Sequence, residues 1–185
     1  MEERLQQILA ILRREYPDRQ PLLVYATPFQ LLVAVILSAQ TTDVGVNKVT
    51  PELFARYPDP PSLAAAPLAE LERIIHPLGF FHTKAVNIKK TAALVAERFR
   101  GSVPREMDDL LMLPGVGRKT AGVLRAALHG LPAVIVDTHC SRVALRLGLT
   151  TTRDPARAER EIAARVPEAD WSDFSMTVNR HGRRW

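Results

Sequence analysis

The chain has 185 residues, of which 46% are hydrophobic, and 25 cationic against 20 acidic residues give a net charge of +5. This length suffices for one domain or two small ones with a hydrophobic core. The basic pI of about 9.8 favours an anionic partner, whereas no apolar stretch approaches the roughly 20 residues that a membrane-spanning helix needs.

The N-terminus is acidic at Glu2 and Glu3 and then amphipathic, so it does not resemble a signal peptide and we expect a cytoplasmic protein. Cys140 is the only cysteine, which excludes an internal disulfide and a multi-cysteine metal or iron–sulfur site within this chain. Arginine stays protonated and is a poor nucleophile. Chemistry that needs an amine must therefore use one of the five lysines, Lys48, Lys84, Lys89, Lys90 and Lys119.

Hydrophobic spacing predicts helices along almost the whole chain, and therefore an all-α fold. The first contains Leu5 and Leu12 and stops before Pro17, and the second, Pro28 to Leu37, is apolar nearly all round and should lie in the core. Further helices are predicted over 44–57, 62–66, 68–75, 83–99, 108–112, 118–129, 137–148, 155–166 and 171–181. Gly79 is expected to end the helix over 68–75, and Gly130 suits the left-handed cap position after 118–129.

Residues 108–130 are typical of a helix, a tight glycine-rich turn and a second helix. Gly115 and Gly117 are expected to adopt backbone conformations closed to other residues and to approach a ligand closely. Their amides, with the start of the helix at Arg118, would direct N–H donors and a partial positive charge outwards, which predicts a phosphate site made from backbone. Such a site holds DNA without reading its sequence.

A bare Gly-x-Gly turn is often purely structural, but the longer string Leu113-Pro114-Gly115-Val116-Gly117-Arg118-Lys119-Thr120-Ala121 resembles the helix–hairpin–helix of DNA-repair glycosylases. Three further stretches resemble endonuclease III in the same order and at similar spacing. They are Pro28 to Leu32 continuing through Leu37-Ser38-Ala39-Gln40-Thr41-Thr42-Asp43, Gly79-Phe80-Phe81 with Lys84-Ala85, and Val136-Asp137-Thr138-His139 with Arg142-Val143. The chain is thereby identified as a member of the endonuclease III family.

The resemblance implies a two-lobed fold with the active site in the cleft between the lobes. One lobe would be a six-helix bundle over residues 20–131 that contains the helix–hairpin–helix, and the other would combine 1–19 with 132–185. The implied function is a base-excision-repair DNA glycosylase and abasic-site lyase that removes oxidised pyrimidines and cleaves abasic sites by β-elimination. We expect a monomer that acts on damaged double-stranded DNA in the nucleoid, with no membrane partner.

Lys119 is the expected nucleophile. A neutral amine attacks C1′ of the deoxyribose as the damaged base leaves, and the resulting Schiff base permits β-elimination. An exposed lysine with a pKa near 10.4 is protonated at neutral pH and cannot attack. The positive end of the helix and the neighbouring Arg118 both disfavour the ammonium form, and burial in a cleft would add to their effect.

Asp137 is the expected essential carboxylate, because it can stabilise positive charge that develops on the sugar and assist proton movement. By itself the residue would be interpreted as an ordinary helix N-cap. The surrounding Val-Asp-Thr-His string favours the catalytic role, and the two roles are compatible.

The target nucleotide must leave the duplex before the amine reaches C1′. By resemblance, Gln40 would fill the gap and Phe80, which we expect to be exposed, would wedge into the opposite strand, although relatives often carry Leu at that position. His139 either contacts a phosphate or fixes its loop, and the sequence leaves both open. The residues to which we assign DNA contact are Gln40, Phe80, Leu113, Gly115, Val116, Gly117, Arg118 and His139.

We expect no cofactor and no metal in this chain. In many endonuclease III relatives the final His-Gly-Arg segment leads into four spaced cysteines that hold a 4Fe–4S cluster. Here His181-Gly182-Arg183-Arg184-Trp185 ends the sequence where the first of them is expected, and Cys140 cannot substitute. Either the protein is a member without the cluster or the sequence stops short of the native C-terminus.

Two rival functions stay open. A monofunctional glycosylase of the same fold would replace the hairpin lysine and place a catalytic Glu in the first core helix, but this chain has Lys119 and no acid from Phe29 to Leu37. A non-enzymatic helix–hairpin–helix DNA-binding module would explain the glycines and the charge. It would not explain the segments that carry Gln40, Phe80 and Asp137.

Overall fold

The computed structural model describes residues 2–17 and 23–184, and every element of regular secondary structure within them is helical. The all-α prediction is therefore confirmed. In chain order, the helices are α1 (Glu2–Glu15), α2 (Pro28–Leu37), α3 (Asp43–Arg56), α4 (Pro60–Ala65), α5 (Leu68–Ile75), α6 (Phe81–Arg98), α7 (Met107–Leu111), α8 (Arg118–His129), α9 (Thr138–Arg146), α10 (Pro155–Ala163) and α11 (Trp171–Arg184), with a 3-10 turn at Glu168–Asp170 before α11.

Helix α2 has the bounds that its sequence predicts. Thr27 caps it by accepting a hydrogen bond from the Gln30 N–H at 3.2 Å, and Pro28 occupies the first helical position, where no N–H is needed. Nearly all of its side chains are buried, and it packs against α3 and α6. This helix therefore lies in the core, as its uniformly apolar sequence predicts.

Helix α5 ends at Ile75 as predicted, but the residue that ends it differs from the prediction. Gly79 does not end this helix, because α5 stops at Ile75 and is capped by His76 in a right-handed conformation. Pro77 has no N–H to continue the helical hydrogen bonds, so the chain leaves the helix before Gly79 is reached. The left-handed residue of this connection is Phe80, with φ of 58°, rather than the adjacent glycine.

The described residues form two compact units. Residues 23–124 form the central unit, in which α4 and α5 pack on α6. Residues 2–17 and 125–184 form the discontinuous unit, where α1 and α9 pack on α11 around a core that includes Leu9, Phe174 and Val178. Within the described part of the chain, no helix combines the length and hydropathy of a membrane span.

Candidate nucleic-acid interface and active-site residues

The turn between α7 and α8 requires a glycine at position 115. Gly115 has φ of +83°, and a Cβ atom there would lie 2.9 Å from Cγ2 of Ile36 in α2. Any other residue would therefore be strained in its backbone and crowded by the core. Gly117 is outside the left-handed region and a Cβ there would meet nothing within 4 Å, so the predicted conformational requirement holds at Gly115 and is wrong for Gly117.

Buried contacts fix this turn to the central unit. Leu113 and Val116 are only 2% and 7% exposed, and the Val116 N–H donates to the Leu113 carbonyl at 3.0 Å. The buried hydroxyl of Thr91 in α6 donates to the Pro114 carbonyl at 2.9 Å. Leu113 and Val116, for which we predict DNA contact, thus use their side chains to anchor the hairpin, and the N–H of Leu113 also donates within the chain, to the Leu110 carbonyl at 3.1 Å.

Helix α8 begins directly after the turn and presents Lys119 in its first turn. The Gly117 carbonyl accepts a hydrogen bond from the Ala121 N–H at 2.9 Å, and this bond marks the start of the helix. The first N–H groups of a helix have no acceptor within it and give its start a partial positive charge. Arg118 and Lys119 are both exposed at this positive end.

Asp137 is the N-cap of α9, and both of its carboxylate oxygens have partners in the discontinuous unit. Oδ1 accepts from the Cys140 N–H at 2.8 Å, as expected of a cap. Oδ2 accepts from the Nδ2 amide of Asn179 in α11. The half-buried carboxylate is thus held in one orientation from two helices.

Asn179 is a residue that sequence reasoning missed. A half-buried Asn inside a helix is a weak signal, since Asn favours caps and turns unless its side chain has a partner. The sequence cannot name that partner, because Asp137 lies 42 positions away along the chain.

His139 contacts the discontinuous unit's own backbone. Its Nδ1 lies 3.0 Å from the Gly182 carbonyl oxygen, which also accepts from Arg142 at 2.5 Å. A Cβ on Gly182 would come within 2.9 Å of the His139 Cβ, so α9 and α11 approach closely here. These contacts favour the loop-fixing role of His139, while contact with a phosphate stays a prediction.

Gln40 and Phe80 share an uncommon backbone conformation. Gln40 has φ of 54° and Phe80 φ of 58°, both in the left-handed region that non-glycine residues rarely adopt. Both side chains are exposed, and Phe80 at 67% confirms the expected exposure of its ring. Phe81 is half-buried, with its ring centroid 4.7 Å from that of His76.

Comparison with known proteins gives a consistent result. The family described as HhH-GPD superfamily base excision DNA repair protein matches residues 33–168. Endonuclease III of Synechocystis sp. is 50% identical over 182 residues, which are 98% of this chain and 83% of that protein. Endonuclease III of Bacillus subtilis is 45% identical over 158 residues, 85% of this chain and 72% of that protein. The solved structure of a trapped endonuclease III–DNA covalent intermediate matches with a TM-score of 0.93 at 40% identity, covering 100% of this chain and 87% of that chain.

These relatives correct the expectation of a protein without a cofactor, because close endonuclease III homologues typically carry a 4Fe–4S cluster. Such a cluster is held by four cysteine thiolates. This chain has one cysteine, Cys140, which is buried in α9, and no three His, Cys, Asp or Glu side chains among the described residues are grouped to hold a metal ion. The described residues therefore do not fit the cluster by themselves, but the relatives contradict the expectation that the protein has no cofactor.

Proposed function

This chain belongs to the HhH-GPD superfamily of base excision DNA repair proteins and to its endonuclease III family, and from that premise we propose how its residues act on DNA. It is a DNA glycosylase and abasic-site lyase. We propose Lys119 as its nucleophile and Asp137 as its essential carboxylate. The observation that supports this most directly is the exposed amine of Lys119 in the first turn of α8, beside the amides of the glycine turn.

The reaction is a displacement at C1′ of the damaged nucleotide. The neutral amine of Lys119 forms a C1′–N bond as the bond from C1′ to the base breaks, and the departing base takes the electron pair and a proton. Opening of the sugar ring gives a Schiff base. Loss of a proton from C2′ then expels the 3′-phosphate by β-elimination, which cleaves the strand, and water releases the sugar from the lysine.

Asp137 stabilises the positive charge that develops at C1′ and the ring oxygen, and it accepts or returns protons during ring opening. Its two hydrogen bonds, from the Cys140 N–H and the Asn179 amide, fix the carboxylate before the substrate arrives. A group already oriented in the free enzyme needs no reorganisation during the reaction, and this preorganisation makes it effective.

The glycine turn would hold the DNA backbone. Since the Val116 N–H is used inside the turn, the donors that remain for a phosphate are those of Gly115, Gly117 and the first turn of α8, with the Arg118 side chain beside them. Gln40 and Phe80 would enter the duplex where the nucleotide has left it, and His139 would contact a phosphate of the DNA. The ligand we propose is damaged double-stranded DNA of the nucleoid carrying an oxidised pyrimidine, bound by a monomer.

Strand cleavage tests these assignments. The wild type, Lys119→Gln, Asp137→Asn and Lys90→Gln would be compared on duplexes with one thymine glycol or one abasic site, with DNA binding measured by gel shift. Lys90 is an exposed lysine of α6 and serves as the matched control. We expect Lys119→Gln to bind without cleaving, Asp137→Asn to cleave slowly, and Lys90→Gln to cleave as the wild type does.

Cleavage of abasic DNA by Lys119→Gln at the wild-type rate would contradict the role of Lys119. Normal turnover by Asp137→Asn would reduce Asp137 to a helix cap. A wild-type protein that binds both duplexes and cleaves neither would contradict the lyase mechanism altogether.

A further inference from the structure

Two loops of the central unit each carry an exposed left-handed residue, and the side chain of Lys84 in α6 links the first loop to the start of the helix that follows the second. The first loop follows α2 and carries Gln40, and the second precedes α6 and carries Phe80. Left-handed backbone at a bulky residue such as Phe80 is unfavourable and persists only where surrounding contacts enforce it. The contacts that enforce these two conformations therefore bear on how both loops meet a ligand.

Lys84 contacts both loops. Its backbone N–H donates to the Phe80 carbonyl at 3.0 Å. This hydrogen bond forms the first turn of α6, with the left-handed Phe80 as the N-cap. Its Nζ donates to the hydroxyl of Thr41, the residue directly after Gln40. Thr41 in turn donates its N–H to the Ser38 carbonyl at 3.1 Å, so the turn that presents Gln40 is fixed from both sides.

This arrangement is costly for the fold. Lys84 is 5% exposed, and its ammonium donates to the neutral hydroxyl of Thr41 rather than to a carboxylate. Burial lowers the pKa of Lys84 below its ordinary value, because removing an ammonium from water disfavours the charged form. An apolar side chain of similar length in such a place is often neutral or stabilising, so stability alone does not account for a lysine here.

We propose that Lys84 is a positioning residue that ties the Gln40 loop to the Phe80 loop, so that both side chains meet the duplex in one fixed arrangement. The inference rests on the proposed function in one respect, the entry of Gln40 and Phe80 into DNA. Lys84 has no proposed contact with the sugar or the base. Its loss should therefore affect the opening of duplex DNA and spare the chemistry at C1′.

Three variants test the contact between Lys84 and Thr41, whose hydroxyl also donates to the Ala39 carbonyl at 3.4 Å. Lys84→Met keeps the length and apolar stem of the side chain and removes its donors, Thr41→Val removes the acceptor at nearly constant shape, and the double variant closes a mutant cycle. Lys89→Met is the matched control on the same helix. Its ammonium donates to the Ala64 and Ala66 carbonyls at 2.6 and 2.5 Å, at the end of α4, and makes the same kind of contact away from the two loops.

Cleavage rates at saturating protein would be measured on an abasic site in a duplex and on the same site in a single strand, where no partner strand has to be opened. We expect Lys84→Met and Thr41→Val each to lower the duplex rate by at least about tenfold, with the single-strand rate kept and no further loss in the double variant. Lys89→Met should leave the ratio of the two rates unchanged. Unfolding temperatures should show Lys84→Met folded and no less stable than the wild type.

A second readout does not depend on catalysis. With 2-aminopurine opposite the abasic site, saturating wild-type protein should raise the fluorescence as the base is unstacked, and Lys84→Met should raise it less. An equal rise in both proteins, an unchanged duplex-to-single-strand ratio, or the same loss in Lys89→Met would overturn the proposal. If the wild type cleaves neither substrate, the proposed function fails while the fluorescence comparison still decides the role of Lys84.

Discussion

At the scale of single residues, two glycines of one turn have different reasons to be glycine. Gly115 combines φ of +83° with a Cβ position 2.9 Å from Ile36, whereas Gly117 has neither constraint. The fold therefore depends on Gly115. Gly117 is open on the side where a Cβ would point, which is consistent with close approach of a DNA backbone.

Gly115→Ala should lower the free energy of unfolding by about 2 kcal/mol, because alanine is disfavoured at positive φ and its methyl group would press on Ile36. Gly117→Ala should stay within about 0.5 kcal/mol of the wild type. Urea unfolding of both variants measures the difference. Equal stability of the two would mean that the turn relaxes without cost and that Gly115 is not required by conformation.

The hydrogen bond from Asn179 to Asp137 is the second feature at this scale. Asn179→Asp keeps the shape of the side chain but replaces the amide donor by a like charge beside Asp137, and Asn179→Leu removes the donor. Both should lower kcat by about tenfold or more without weakening DNA binding, because the carboxylate loses its fixed orientation. Single-turnover rates and gel shifts on the same duplex separate the two effects. Unchanged rates in both variants would show that the helix cap alone orients Asp137.

The local and the long-range parts of the site differ in how far the sequence could predict them. The Asp137 cap is predictable because the donor and the acceptor of its hydrogen bond are three positions apart. The start of α8 and the tight turn before it are likewise predictable from neighbouring residues. The contacts of Asp137 with Asn179 and of Lys84 with Thr41 span 42 and 43 positions. Hydrophobic periodicity reports which face of a helix is buried, but it does not name the polar partner across the interface.

At the scale of elements, helices with strong local signals have their predicted bounds. Helix α2 starts at a Thr-Pro cap, and α8 runs from Arg118 to His129 with Gly130 in the left-handed position. The end of α5 at Ile75 was also predicted, but the role given to Gly79 was wrong, because Pro77, two residues before it, ends the helical hydrogen bonding first. A single glycine is thus weaker evidence for the end of a helix than a proline, which lacks the N–H that the helical hydrogen bond needs.

The connection between α9 and α10 offers a test by pH. Glu161 of α10 accepts from the Thr151 N–H at 2.7 Å and the Thr150 hydroxyl at 3.0 Å. The Thr151 N–H, the Thr150 hydroxyl and Arg157 all favour the carboxylate and lower the pKa of Glu161 below its ordinary value of 4.5. A lowered carboxyl pKa contributes stability that is fully present above pH 4.5 and is lost as the pH falls through the pKa of the folded state.

Glu161→Gln should therefore be less stable than the wild type at neutral pH, and the difference should shrink as the pH falls below about 4.5. Thermal unfolding between pH 7 and pH 3 measures this difference. Glu168→Gln, a change at an exposed glutamate of the 3-10 turn, serves as the control and should follow the wild type throughout. A Glu161→Gln deficit that persists at low pH would mean that the contact does not depend on the charge.

At the scale of the whole molecule, the net charge of +5 and the proposed phosphate site in the glycine turn agree with a protein that binds DNA with little sequence preference. The family and the enzyme class follow from strings of residues that lie at intervals from α2 to α9. The cofactor did not follow, because the single cysteine of this chain led to the expectation of no cofactor, whereas close endonuclease III homologues typically carry a 4Fe–4S cluster.

The proposed mechanism requires that Lys119 becomes covalently bonded to the sugar. The protein would be incubated with duplex DNA containing one abasic site, the Schiff base reduced with borohydride, and the peptide that carries the reduced sugar identified by mass spectrometry. We expect the modification on Lys119 and no adduct with Lys119→Gln. A modification on Lys48, Lys90 or the N-terminal amine of the wild type, or an undiminished adduct with Lys119→Gln, would contradict it.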